Sequence, residues 1–230
     1  KENVAILNTD ESIGCSGGII NNIYENETSK IIGMAMSSSF GVGNAHFRTG
    51  GKEGFVDTVA FGAYKEEVFK KVGYFDHELA RNQDDEFNFR LLKNNYKIYL
   101  SKSIISSYYV RASFKKLFRQ YYQYGYWKVY VNKKHRTITT LRQLIPSALI
   151  SSLAIGLILS LTHPIFALLL LLELLMYLLG CLTFAVQKTK NIKQISAVIF
   201  TFFILHSSYG IGYINGFLEF ILLGKKAINK

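Results

Sequence analysis

Leu168-Leu169-Leu170-Leu171-Leu172-Glu173-Leu174-Leu175-Met176-Tyr177-Leu178-Leu179 lies inside an apolar run from Ile165 to Val186 whose one charge is Glu173. A bilayer core takes roughly 20 apolar residues as helix, and this run has that length. A water-soluble core in so small a chain would struggle to bury so dense a leucine stretch. Upstream, Leu144 to Leu161 is a second uncharged apolar run, ended by Thr162-His163-Pro164. Downstream, Lys188, Lys190 and Lys193 form a basic loop, and Ile195 to Leu223 is a third apolar stretch before Lys225 and Lys226. The third stretch is long for one helix and short for two, and Gly210, Gly212 and Gly216 are where it could break. Lysines on either side of the first two spans make those flanks cytoplasmic and the His163-Pro164 turn external. Glu173 is either a buried polar partner or a functional acid within the membrane.

The bulk composition agrees with a divided chain. It has 230 residues, 49% hydrophobic and 19% charged, with a net charge of +11. Of 16 acidic groups, Glu173 and Glu219 alone lie beyond residue 143. This excludes a disordered chain, a collagen and a disulfide scaffold. Cys15 and Cys181 fall in different parts of the chain, so neither a disulfide framework nor a zinc site is expected, and the soluble part suits a reducing compartment. The stretch from Arg111 to Arg142 carries arginines and lysines but no acid. Because it runs straight into an apolar segment, its expected partner is an anionic membrane surface and not nucleic acid, for which no recognition motif is present. The start, Lys1-Glu2-Asn3-Val4, has no apolar leader and no methionine, which raises the expectation of a fragment.

The first part reads as mixed α/β. Gly14-Cys15-Ser16-Gly17-Gly18 is expected as a glycine-rich turn and Ser29–Ser38 as a helix. Gly41–Arg48 reads as a loop or strand, and Phe55–Tyr64 alternates like a strand. Lys65–Val72 is a short helix stopped by Gly73, Asp84–Asn94 a second helix, and Lys97–Leu100 a strand. Ser113–Val131 is a long amphipathic helix crowded with aromatic residues.

Asn82-Gln83-Asp84-Asp85-Glu86-Phe87-Asn88-Phe89-Arg90 is the segment closest to chemistry. Acids at a helix start are favoured by the helix dipole, and that alone would explain them. A calcium loop needs further oxygen ligands at set spacing, which are lacking. A carboxylate in this position also stays ionised, as a general base must.

Two flanking segments add to this one. Val56-Asp57-Thr58-Val59-Ala60-Phe61-Gly62-Ala63-Tyr64 precedes the acids, and Arg119-Gln120-Tyr121-Tyr122-Gln123-Tyr124-Gly125-Tyr126-Trp127-Lys128 follows them. Gly41-Val42-Gly43-Asn44-Ala45-His46-Phe47-Arg48 and His206-Ser207-Ser208-Tyr209-Gly210-Ile211-Gly212-Tyr213 complete the order. In this order the chain resembles family 2 glycosyltransferases of the succinoglycan-biosynthesis type, from about Gly14 to its C-terminus. The resemblance implies the C-terminal part of a Rossmann-type catalytic domain of the glycosyltransferase A kind, followed by transmembrane helices. It implies a membrane-bound inverting enzyme that moves a sugar from a nucleotide-sugar to a lipid-linked or glycan acceptor in bacterial surface-polysaccharide synthesis. It implies a multi-pass protein of the bacterial inner membrane with its catalytic part in the cytoplasm.

Carried over to these positions, Asp84 matches the catalytic base, with Gln83 where the family usually has Glu. Asp57, Phe61, Gly62, Ala63 and Trp127 match the acceptor site, and Asp85, Arg90 and Gln123 are supporting residues. Arg90 equally suits an ion pair with Asp85 or Glu86. Tyr126 stands where processive members carry Arg, which departs from a processive pattern. The family's Mg or Mn ion is expected in the whole enzyme, but its Asp-x-Asp ligands are missing from this sequence. The expected division is 1–110 for the catalytic domain, 111–143 for a basic aromatic interfacial helix and 144–230 for the membrane region. The rival expectation is a non-catalytic membrane-anchored module that binds anionic lipid or a polysaccharide-assembly partner.

Overall fold

The computed structural model describes residues 1–227. In chain order the elements are α1 (Glu2–Leu7), β1 (Ile13–Ile23), α2 (Glu27–Met36), α3 (Ser39–Val42), α4 (His46–Thr49), β2 (Gly54–Val56), β3 (Ala60–Tyr64), α5 (Glu66–Val72), α6 (Gln83–Lys93), β4 (Lys97–Tyr109), α7 (Phe114–His135), α8 (Ile145–Ser160), α9 (Pro164–Lys188) and α10 (Ile192–Gly216). A 3-10 turn, Leu141–Leu144, leads into α8, and a π-helical turn, Phe217–Leu222, continues α10. They form two compact units. Residues 1–25 and 44–110, with Ala227, make one; residues 26–43 and 111–226 make the other. Segment 26–43, expected with the first 110 residues, is therefore part of the helical unit, where α2 and α3 pack on α10.

The first unit is a four-stranded mixed sheet in the order β2-β4-β1-β3, with β1 parallel to β4 and the two outer pairings antiparallel. Its core is Cys15, Val59, Val68, Phe87, Leu91, Ile98 and Leu100, contributed by strands β1 and β4, the β2–β3 connection and helices α5 and α6. The glycine-rich segment 14–18, expected as a turn, is the start of β1. The reason lies in β4. Its pairing with β1 jumps from Ser101 opposite Gly18 to Ile105 opposite Ile19. At that bulge a Cβ on Gly18 would stand 1.8 Å from the Ile104 carbonyl oxygen, so only glycine admits the close approach. β4 runs on to Tyr109, well past the expected end at Leu100, along the second half of β1. The expected single strand 55–64 is two strands, β2 and β3, split at 57–59. Gly41–Arg48, expected as loop or strand, forms the short helical turns α3 and α4, with Gly43 at φ 62° between them.

In α6 three acids fill the first turn and Arg90 and Lys93 the last, an arrangement that suits both ends of the helix dipole. Asn82 enters the helix with φ 63°, and Asn95 leaves the following turn with φ 64°. Asparagine tolerates this left-handed backbone better than most residues. Gly73 ends α5 at φ 88°, as its position after Val72 suggests.

In the second unit three helices are long and apolar enough to cross a membrane: Leu141–Ser160, Pro164–Lys188 and Ile192–Leu222. The α8 and α9 side chains are mostly exposed outward, whereas just over half of the apolar window of the third helix is buried. Glu173 accepts a hydrogen bond from Ser152 Oγ, which links α9 to α8. The third stretch does not break at its glycines. Gly212 faces the Tyr122 carbonyl, Gly216 the Tyr126 carbonyl and Gly210 the Pro146 carbonyl; from α7, Gly125 faces the Tyr209 carbonyl. A Cβ at any of the four would come within 2.6 Å of that oxygen. These glycines let α7, α8 and α10 pack backbone to backbone.

Candidate active site

The sheet unit carries Asp84 in the first turn of α6, where its side chain is exposed. One helical turn later, on the same side of α6, Asn88 is buried to 1% exposure. Asn88 Oδ1 accepts a hydrogen bond from Tyr64 Oη at 2.9 Å, and its Nδ2 donates to Thr58 Oγ1 at 3.0 Å. Both Asn88 amide atoms are thus used, so α6 is fastened to the end of β3 and to the β2–β3 turn. The Tyr64 ring meets Phe87 edge-on at 5.0 Å, with Phe69 and Phe75 around it. Burial raises the Tyr64 phenol above its ordinary range, and the neighbouring Cys15 and the Asp84 charge push the same way. The phenol therefore stays a donor, and the Asp84 carboxylate is near enough to act on it.

Phe61 is the exposed member of this edge. It is 63% exposed and has φ 51°, a left-handed backbone that is costly for an aromatic residue. Gly62 has its missing side chain turned inward: a Cβ there would be 2.8 Å from Cys15 Sγ and 3.3 Å from the Tyr64 ring. Ala63 pairs with Ser16 in the sheet and is half-buried. Asp57, half-buried, adjoins Thr58 in the β2–β3 turn, and Asp85, also half-buried, follows Asp84. The expected residues Asp84, Asp85, Asp57, Phe61, Gly62 and Ala63 thus fall in one unit, on α6 and the β2–β3 segment joined by Tyr64, Asn88 and Thr58.

Arg90 has a different place. Its Nε and Nη2 donate to the two carboxylate oxygens of Glu86 at 2.7 and 2.8 Å, and Glu86 is fully buried. Its remaining donors reach the Val72 and Tyr74 carbonyls. Arg90 holds the α5–α6 connection to α6 through a bidentate ion pair with Glu86.

Trp127 and Gln123 belong to the helical unit, on α7. Trp127 is 9% exposed, among the rings of Tyr126, Tyr130 and Phe220. Tyr126 Oη donates to Glu219 Oε2 at 2.6 Å. Gln123 is half-buried.

Tyr64, Asn88 and Thr58 were not singled out by sequence reasoning. The signal was present in the spacing: Asn88 follows Asp84 by four residues on a helix, so the two share a face. Among the described residues no group of three or more His, Cys, Asp and Glu side chains is arranged to hold a metal ion. In the first turn of α6 the Glu86 carboxylate is committed to Arg90.

No family model matches the chain. Over 111 residues it is 39% identical to dolichyl N-acetyl-alpha-D-glucosaminyl phosphate 3-beta-D-2,3-diacetamido-2,3-dideoxy-beta-D-glucuronosyltransferase of Methanococcus voltae, covering 47% of this chain and 34% of that protein. Over 134 residues it is 32% identical to the succinoglycan biosynthesis protein ExoA of Rhizobium meliloti (strain 1021), covering 58% of this chain and 40% of that protein. The matches thus span well under half the length of either relative.

Proposed function

We propose, from the premise that this chain resembles family 2 glycosyltransferases of the succinoglycan-biosynthesis type, a resemblance its two relatives bear out, that it is part of a membrane-bound inverting glycosyltransferase. The donor is a nucleotide-sugar and the acceptor a hydroxyl of a lipid-linked or other glycan. The observation that carries this reading is the Asp84 carboxylate, exposed at the start of α6 beside the Tyr64–Asn88–Thr58 network.

In this reading Asp84 takes the proton of the acceptor hydroxyl. The freed oxygen attacks the anomeric carbon as the bond to the diphosphate leaving group breaks, giving one displacement with inversion. The network supplies rigidity: Asn88 pins α6 to β3 and the β2–β3 turn, so the base has a fixed origin. The exposed Phe61 ring offers a flat apolar face for a sugar ring. Among the described residues none is grouped to hold the Mg or Mn ion expected of the whole enzyme, so no step is assigned to it. The apolar helices and the basic α7 segment favour the cytoplasmic face of the inner membrane as the place of reaction.

The test is Asp84→Asn in the full-length gene product, assayed with radiolabelled nucleotide-sugars and extracted lipid acceptors. Loss of a positioned general base lowers turnover by about 100-fold or more. Transfer at the wild-type rate would remove Asp84 from the role of base.

A further inference from the structure

Arg48 lies in the short turn α4 with its guanidinium carbon 4.6 Å from the Tyr108 ring centroid and 5.4 Å from that of Phe47. Two aromatic faces hold the group in place. Its Nη1 is closed off from water and meets no acceptor, and among the described residues no carboxylate pairs with the side chain. A guanidinium carries five donors and cannot shed its charge; with Nη1 closed off, the donors left for an external acceptor are those of Nε and Nη2, which no acceptor among the described residues takes. The nearest acid in sequence, Glu53, instead accepts a hydrogen bond from Ser101 Oγ at 3.2 Å.

The chain beyond Arg48 is built to come close to such an acceptor. Gly50 has φ 67° and Gly54 φ 113°, and a Cβ at either would meet nothing within 4 Å, so the space beside both is open. Between them the backbone N–H groups of Gly51 and Lys52 have no protein acceptor, and the Lys52 ammonium is exposed and without an ion-pair partner among the described residues. Unpaired successive amides three and four residues beyond a fixed guanidinium can serve the same anion. The planar fork of Arg matches phosphate oxygens two at a time.

We infer that Arg48, the Gly51-Lys52 backbone and the Lys52 ammonium form a subsite for a phosphate ester or diphosphate group. The inference rests on the sugar-transfer reading only in expecting that group on a sugar-carrying ligand. Two sources share the chemistry: the diphosphate of a nucleotide-sugar and the phosphate of a lipid carrier.

The purified full chain in neutral-detergent micelles is titrated at fixed ionic strength with sodium pyrophosphate, uridine diphosphate and geranylgeranyl phosphate. Pyrophosphate is expected to bind, with Arg48→Gln weakening it by about tenfold or more and Arg48→Lys by less, since charge survives without the fork. Lys52→Gln, at an exposed side chain that leaves the fold intact, gives a smaller loss in the same direction. Whichever of the nucleotide and the lipid phosphate loses affinity with the same substitutions identifies the source. Pyrophosphate binding is read without any sugar transfer, so failure of the base assignment would leave this result standing. Unchanged pyrophosphate affinity in Arg48→Gln and Lys52→Gln overturns the subsite, as does no binding of any of the three probes by the wild type.

Discussion

Phe61 keeps a left-handed backbone while 63% of its surface faces water, so folding gains little from its side chain and loses something to its φ of 51°. Strain of this kind costs on the order of 1–3 kcal/mol and tends to persist where a side chain has a use. Phe61→Gly is therefore expected to leave stability unchanged or raise it by about 1 kcal/mol while lowering sugar transfer; chemical denaturation and the transfer assay check the two halves separately. Cys15 titrates in the opposite sense from a reactive thiol. Burial pushes it from 9.0 to about 12. Above pH 9 the unfolded chain gives up this proton and the folded chain does not, so stability falls as pH rises towards 12, by up to about 1.4 kcal/mol per pH unit. Cys15→Ala flattens that alkaline limb, which denaturation midpoints across the range would reveal. Tyr64→Phe leaves the buried Asn88 Oδ1 without its 2.9 Å donor and costs about 1–3 kcal/mol.

At the scale of elements, two attachments decide where helices sit. The first is the Glu86–Arg90 pair with its two carbonyl partners at Val72 and Tyr74. Arg90→Met strips the fully buried Glu86 of a bidentate partner and is expected to cost roughly 3–5 kcal/mol; Glu86→Leu in the same chain recovers much of it. Thermal unfolding of the single and double variants measures the difference. The second is the glycine contact of α7 with α10. Gly212→Val sets a branched side chain where even a Cβ would be 2.1 Å from the Tyr122 carbonyl. It is expected to separate the two helices and abolish the well-folded protein, seen as loss of a monodisperse peak in detergent; Gly51→Ala, where a Cβ meets nothing closer than 3.8 Å, serves as the comparison.

For the whole molecule the determining property is apolar surface. The α8 and α9 side chains from Ile145 to Leu182 that face outward would be insoluble in water and are at home in lipid. The proposed topology puts Lys188, Lys190 and Lys193 on the cytoplasmic side, so a single cysteine at 190 is expected to be shielded from an impermeant maleimide in intact cells, and one at 163 labelled. Reversed labelling would overturn the proposed topology and with it the proposed cytoplasmic location of Asp84. The Ser152–Glu173 hydrogen bond joins α8 to α9 and gives the acid of this apolar run a partner on the neighbouring helix.

The sequence by itself determined the two-part plan, the three apolar segments, the acid-headed helix and the order of motifs. All of these are local patterns: hydropathy over a span, charge at a helix end, glycine after a last turn. Only the tertiary structure decided that Gly17-Gly18 lies in a strand, that Gly212 and Gly216 join helices instead of breaking one, that Arg90 binds Glu86, and that Tyr64, Asn88 and Thr58 close around α6. Each of these depends on which distant backbone or side chain comes within bonding distance, and spacing along a chain carries no record of that.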